Sequence, residues 1–489
     1  MKIKNSFPSA FIACLGLILS NHAPAQTFAV LHSFSPTDPD TGNNSEGASP
    51  SSVILSGHTL YGTTVVRGNS GYGTVFALSA DGMSFTNLHN FAGNPTDGAN
   101  PQGGLTLSDN TLYGASNNGG SSGHNVGTVF AVNTDSSGFT ILHNFSGSDG
   151  ADLFAGLILS GNILYGMTQG GGNSGWGTVF KMTTNVTSFA IVHNFTAPTG
   201  ANFTNTDGAE PFGGLILSGN TLYGMTTQGG NSSAGGVFSV GTDGSSLTNL
   251  HSFAAGDYDS SANFTNSDGA NPQDSLLLAG NTLYGTTADG GAAGYGTIFS
   301  VNTNGSAFTV LHSFTATSTG TNSDGANPQA SLILSGTTLY GTALNGGSFG
   351  AGTVFAINTN GTGFEILHAF TADAASPPYG NSEGSHPAGL ILSGNTLYGT
   401  ASQGGINGNG TVFSISFAPK LTISPSAANV ILTWPTNLAG FDYSGFTLQS
   451  TTNLASSGWS NVVPGAVIIN GKNTVTNFAG TQNFYRLSQ

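Results

Sequence analysis

Two short motifs recur in step along most of this chain, and that repetition limits the fold more than any other feature. The tripeptide Leu-Tyr-Gly returns with its tyrosine at Tyr61, Tyr113, Tyr165, Tyr223, Tyr284, Tyr340 and Tyr398, at intervals of 52 to 61 residues. A second element, (Leu/Val)-His-x-Phe, returns with its histidine at His32, His89, His143, His193, His251, His312 and His368. Within one unit, apolar segments at 104–108, 111–115, 128–133 and 139–145 alternate with Gly, Asn and Asp turns. Short β-branched or aromatic runs bounded by such turns read as strands joined by hairpins. No window carries a helical period. Four antiparallel strands in a unit of about 56 residues predict a propeller blade.

The ends of the array predict closure. Residues 28–34 form a fourth strand without the three that should precede it, and the last unit, 390–417, has three strands and no fourth. Pairing these ends removes the free sheet edges that would otherwise template aggregation, whereas an open solenoid would need polar caps. The expected fold is all-β: a seven-bladed β-propeller over residues 26–417, closed by the N-terminal strand. The pattern changes over residues 418–489. Ala418-Pro419-Lys420 reads as a linker, and 430–434, 446–450, 466–470 and 483–487 read as strands, with Trp434 on an early one. This predicts a small immunoglobulin- or fibronectin-III-like β-sandwich.

The unit Gly-x-Leu-x-Leu-Ser-Gly-x-x-Leu-Tyr-Gly, followed by a Gly-Gly loop and Gly-Thr-Val-Phe, resembles the GloVer repeat of exported proteins from Verrucomicrobia and Gloeobacter. Residues 214–224 and 389–399 are clear copies, and the resemblance extends over roughly residues 28 to 417. It implies export and, often, a C-terminal surface-sorting module. It implies no established activity and no catalytic residues. The C-terminal segment is similar to modules on exported Verrucomicrobia proteins, without the hydrophobic helix and basic tail of a transmembrane sorting signal. The N-terminus points the same way. Lys2 and Lys4 precede an apolar stretch from Phe11 to Leu19 and the small-x-small site Ala23-Pro24-Ala25. This is the pattern of a signal peptide over residues 1–25, with a mature chain starting near Gln26. The stretch is too short to span a bilayer. The single cysteine, Cys14, falls inside it, so the mature chain has none for a disulfide.

Charge narrows the function classes. The chain has 22 acidic and 7 basic residues, a net charge of −15. That opposes nucleic-acid binding and an anionic membrane surface. Arg67 and Lys181 are the basic residues of the repeat segment, which weakens phosphates and carboxylated sugars as substrates. Phosphate-loop and nucleophile-elbow motifs are missing. The repeated histidines, one per blade on an outer strand, are too dispersed for a metal set and are expected half-buried, bonding to backbone. An acid precedes Gly in each unit: Glu46, Asp97, Asp149, Asp207, Asp268, Asp324 and Glu383. These are expected to bond backbone amides and fix the interblade turn.

Loops that follow the fourth strand and loops between the second and third share one face, and the first set carries the large length variation, as binding loops on a rigid scaffold do. Trp176, with Tyr72 and Tyr295 at matching positions, is the candidate aromatic set for stacking on a sugar. The insert Asp257-x-Asp259-x-Ser261-x-Asn263 alternates oxygen ligands as calcium loops do, without the Gly and terminal Glu of an EF-hand. Asp38-x-Asp40-x-Gly42 is a weaker echo. The reading that follows is an exported, non-enzymatic scaffold for binding or adhesion at the cell surface. Its ligand would be a glycan or a cell-envelope protein, with calcium the candidate ion. Two alternatives stay open. One is a polysaccharide-cleaving enzyme that uses Asp152, Glu210 or Asp274 near the central channel, where a carboxylate pair roughly 5–10 Å apart is required. The other is a purely structural envelope or matrix protein. Ligand identity and oligomeric state are not legible in the sequence.

Overall fold

The computed structural model describes residues 26–93, 97–120, 126–374, 380–417, 419, 421–426, 429–438, 441–443, 445–452, 459–478 and 484–488. The expected signal peptide, with Lys2, Lys4 and Cys14, lies outside these residues, as do His124, Ala418 and Lys420. All regular structure among the described residues is β, and no helix is long and apolar enough to cross a membrane. The chain forms two compact units. One holds Thr27–Phe417 together with Thr436–Gly445, and the other holds Ala418–Pro435 with Phe446–Gln489.

In the second repeat, Thr106–Ser108, Thr111–Ser116, Thr128–Asn133 and Thr140–Asn144 pair in chain order as one antiparallel sheet. The expected strands are all there, the first and fourth trimmed, the second one residue longer and the third unchanged. The other repeats build equivalent sheets. In the last repeat, Ser385–Ser393, Thr396–Gln403 and Thr411–Phe417 take Gln26–Ser33 as their outermost strand. The N-terminal segment therefore supplies the strand that the last repeat lacks. First strands differ in a way the sequence explains. They are nine residues long in the first and last repeats, Ala48–Ser56 and Ser385–Ser393, but only three in the others. Pro50 and Pro387 stand three residues before the first buried aliphatic side chain, Val53 or Leu390, whereas Pro101 stands four before Leu105 and Pro272 four before Leu276. The extra residue breaks the two-residue alternation on which a continuous ladder depends.

Two motif glycines make the packing between strands feasible. The Gly of each Leu-Tyr-Gly lies opposite the Phe of Gly-Thr-Val-Phe on the next strand, as in Gly114 against Phe130. A Cβ on Gly114 would stand 2.4 Å from Phe130 Cζ, so only glycine leaves room for the ring. Those phenylalanines, from Phe76 to Phe413, are fully enclosed, and each contributes roughly 1.5–3 kcal/mol by burial. The Gly of Gly-Thr-Val-Phe is left-handed. At Gly296 φ is +94° and a Cβ would meet the Thr287 carbonyl at 2.2 Å. Neighbouring sheets share apolar clusters. Phe145 and Val129 of the second pack with Leu164 and Phe180 of the third. Phe34 and Val412 of the last pack with Val53, Leu60 and Phe76 of the first.

The repeated histidines and acids form one device. Each histidine Nε2 meets the carboxylate of its own repeat, at 2.9–3.0 Å in six copies and at 3.4 Å for His368 and Glu383. The expected backbone partner of these histidines is thus replaced by a side chain, because the acid on the following turn reaches back to the strand. An ionised carboxylate only accepts, so in the six closer copies Nε2 carries the proton. The same carboxylate accepts the main-chain N–H three residues beyond the histidine, from Ser35 to Glu46 through Thr371 to Glu383, at 2.8–3.3 Å. That amide bond matches the expectation for the acids. A bulge that sets Leu142 and His143 against Val129 alone places the histidine for this contact, and the other copies repeat it. In five repeats an Asn two residues before the acid braces the turn. Asn266 Nδ2 donates to the carbonyls of Ala254 and Gly269, and its Oδ1 accepts the Gly269 amide.

The imidazole then stacks on the next sheet. Six histidines lie parallel to a phenylalanine at 3.5–4.4 Å between ring centres: His32 on Phe85, His89 on Phe139, His143 on Phe189, His251 on Phe308, His312 on Phe364 and His368 on Phe28. At the partner position for His193 the sequence has Leu247 instead. The contact of His368 with Phe28 carries the pattern across the chain ends.

The C-terminal unit has one sheet of Thr422–Ser426, Asn429–Pro435, Lys472–Phe478 and Val467–Ile469, and another of Ser460–Asn461, Thr447–Thr451 and Phe484–Ser488. Trp434, Leu432, Leu448 and Val475 are buried within it. Thr422–Ser426 and Lys472–Phe478 are strands that the sequence reading missed.

Burial opposes ionisation of Glu46, Asp207 and Asp324, but the hydrogen bonds from histidine and amide outweigh it and hold their pKa values below the ordinary 4.5, 3.8 and 3.8. Carboxylates held low stabilise the fold above their unfolded pKa, and that contribution is lost as pH falls through the folded value. Burial lowers His368 below its ordinary 6.5, against the pull of Glu383. Its contribution is also lost on acidification. Calorimetry should therefore give a thermal midpoint that declines below about pH 6.5 and more steeply below about pH 4, with His368→Gln removing the first decline. A midpoint constant down to pH 3 would contradict this. Asp268→Ala leaves the His251 ring and the Ala254 amide without a partner, and denaturant unfolding should register a loss of about 2 kcal/mol. Exposed Asp257→Ala should change stability by less than about 0.5 kcal/mol.

Candidate functional site

One residue per repeat is left-handed without being glycine, at the start of the first strand in the first and last repeats and ahead of it in the others: Ser49, Asn100, Asp152, Glu210, Asn271, Asn327 and His386, with φ between 52° and 60°. Each donates its main-chain N–H, at 2.8–3.1 Å, to a loop carbonyl of the preceding sheet. The acceptors are Asn409, Tyr72, Val126, Trp176, Ala234, Tyr295 and Ala351 in the same order. The bond from Ser49 to Asn409 joins the first sheet to the last. Asn and Asp tolerate this conformation better than most side chains. Asp152 and Glu210 thus stand where three other repeats place Asn and two place Ser49 and His386. Burial raises the pKa of Asp152, and it raises Glu210 against the opposing bonds from Gln228 and Gln169.

Tyr72, Trp176 and Tyr295 occupy the matching positions that the sequence assigned, since their carbonyls take the same bond. Their side chains go to different neighbours. Trp176 packs edge-on to Phe203 at 5.1 Å. Tyr295 accepts a hydrogen bond from Thr317 Oγ1 at 3.0 Å. The Tyr72 ring covers Gly93 and stays 43% exposed. Trp176 and Tyr295 also pack against apolar clusters that their sheets share with the next, and among the described residues no ring contact joins the three aromatics. The Asp257 insert is a small hairpin of Asp257–Tyr258 with Phe264–Thr265. The Asp259 carboxylate closes its tip by accepting the Ser261 and Asn263 amides and the Asn263 side-chain N–H. Asp259, Ser261 and Asn263 are brought together, while Asp257 lies on the strand beside them. Among the described residues, no three His, Cys, Asp or Glu side chains cluster as a metal site would require.

The segments that follow the left-handed residues line a cavity of about 520 Å³ in the repeat unit. Ser51, Gln102, Phe154, Phe212, Gln273 and Gln329 come to its wall from successive repeats, with Asp274 beside them. Phe154 and Phe212 stack at 4.9 Å. Asp274 accepts the amides of Ser275 at 2.6 Å and Ser331 at 2.7 Å, the second bond crossing to the next sheet. Its carboxyl group is enclosed, and burial raises its pKa despite those amides. Of the three acids singled out in the sequence, Asp274 alone faces the cavity. The glutamines and phenylalanines of the wall went unnoticed in the sequence, although their place two residues after the left-handed position could have marked them.

Residues 14–203 match the family described as the Gloeobacter/Verrucomicrobia repeat. That segment carries the repeat. The match begins earlier and ends sooner than the motif copies of this repeat, which run on to Phe413. No curated protein matches the chain. Similar solved structures include an oligogalacturonate lyase in complex with manganese, 11% identical, covering 81% of this chain and 98% of that one at a TM-score of 0.45. A putative 6-phosphogluconolactonase from Bacteroides fragilis NCTC 9343 is 13% identical, covering 90% and 100% at 0.42. A nidogen/laminin complex is 11% identical, covering 70% and 97% at 0.37.

Asp152→Asn tests the assignment of the left-handed residues. It keeps a side chain tolerant of that conformation and removes a charge that burial disfavours. Its stability at pH 7 should stay level or rise by at most about 0.5 kcal/mol, measured by thermal unfolding. A large loss would show that the Asp152 carboxylate has another role.

Proposed function

We propose that the chain is an exported, non-enzymatic binding scaffold of the cell surface, built as a closed seven-bladed β-propeller followed by a small β-sandwich. It presents its variable loops to a glycan or a cell-envelope protein. The observation that carries this reading is the use made of the chemically capable side chains. The seven repeat histidines and their acids are engaged in the clamp, and Asp152 and Glu210 hold left-handed turns. What varies from repeat to repeat is the loops. Their tips expose Tyr258, Phe349 and Ile406 to solvent, as binding surfaces on rigid scaffolds do. The stacking of His368 on Phe28 and the Ser49 bond to Asn409 support the closed ring. The repeat family and the N-terminal pattern support export.

A glycan array and an envelope-protein pull-down with the mature chain, in calcium and then in EDTA, test the proposal. Binding to one of these classes is expected, weakened at least tenfold by Trp176→Ala. Loss in EDTA would assign calcium to the Asp257 hairpin. Release of reducing sugar from a bound polysaccharide, or no binding in either assay, would overturn the reading.

A further inference from the structure

We infer that the 520 Å³ cavity of the repeat unit is a binding site for a neutral pyranose sugar, separate from the variable loops. Three features of its wall carry this. The first is size, because a cavity of this volume lies in the range that encloses small organic ligands. The second is an apolar patch that the repeat does not require. Five repeats place Ser, Gln or Ala at this wall position, and only the third and fourth place Phe, at Phe154 and Phe212. The two rings stack on each other at the wall rather than inside a blade core, and the C–H face of a pyranose packs on such a surface.

The third feature is the polar remainder. Gln102, Gln273 and Gln329 bring amides to the wall from three other repeats. Among the described residues their side chains make no hydrogen bond to the protein. A primary amide both donates and accepts, and so does a sugar hydroxyl. Charge completes the argument. Among the described residues no Lys, Arg or His lines the wall, and its single acid is Asp274. Both oxygens of that carboxylate already accept main-chain amides. An anionic ligand would find no cation there. A cationic one would find a carboxylate whose ionised form burial disfavours. An uncharged ligand with one apolar face and a rim of hydroxyls fits what is left.

Saturation-transfer NMR and calorimetry on the full mature chain, with cellobiose, maltose and lactose as probes and glucuronate and glucosamine as charged comparators, test the inference. At least one neutral disaccharide should bind, at least tenfold more tightly than either comparator. Phe154→Ala with Phe212→Ala should weaken it at least tenfold. Gln273→Leu and Gln329→Leu, on the wall but outside the aromatic pair, should each weaken it severalfold, so the inference stays testable if the double variant does not fold. Trp176→Ala should leave it unchanged. No binding of any of the three disaccharides, or binding that survives the wall variants, would overturn the site. Binding lost in Trp176→Ala but kept in the wall variants would move the sugar to the loop face, overturning this site while leaving the loop-face reading intact.

Discussion

The carboxylate that bridges a histidine and a main-chain amide is the interaction on which the rest of this architecture depends. It ties the end of each outer strand to the turn that leads into the next sheet. It also holds the imidazole plane against the next sheet's phenylalanine. In a chain with only 6% charged residues, seven of 22 acids are placed this way. Charge-assisted bonds in a partly dry setting are among the stronger polar contacts available to a protein. They fix direction, which the apolar clusters between sheets cannot do alone, because burial is non-directional. The seven left-handed residues add a main-chain bond at each junction. Strand, turn and neighbour are thus specified together in every copy.

Much of this was legible in the sequence for a simple reason. Strands announce themselves through local composition, and a repeat presents the same evidence seven times. The strands of the second repeat lie within one or two residues of their expected ends, and the orphan segment at 28–34 pairs with the last repeat as its sequence demanded. What stayed hidden was pairwise and three-dimensional. The histidine and the acid sit on different elements 6 to 17 residues apart, so spacing alone could not join them. Left-handed backbone at Asp152 and Glu210 was invisible because those residue types carry no glycine signal. In the sequence they stand as candidates of the enzymatic alternative, and in the structure both occupy left-handed turns. In the C-terminal segment, Lys472–Phe478 was missed because Lys, Asn and Thr dominate it and give no apolar run.

The candidate sites follow from how the repeats differ. Where all copies agree, in residue or in backbone conformation, the role is structural: clamp, glycine pocket or left-handed turn. Where they depart, side chains are free to recognise something. The departures fall in two places, the loop tips and the cavity wall. The wall is asymmetric in composition although its backbone is repetitive, with aromatic side chains from two repeats facing amides from others. A site of this kind is unique on a repeated frame because a single position was varied in a few copies.

The central proposal is that the first and last strands of the repeat array, which share one sheet, close it into a ring. Hydrogen–deuterium exchange of the mature chain measures this directly at Gln26–Ser33. The account predicts protection of that strand equal to that of the outer strands within the array, such as Phe85–Asn90 and Phe189–Asn194. Exchange as fast as that of a frayed terminus, with the other outer strands protected, would contradict it.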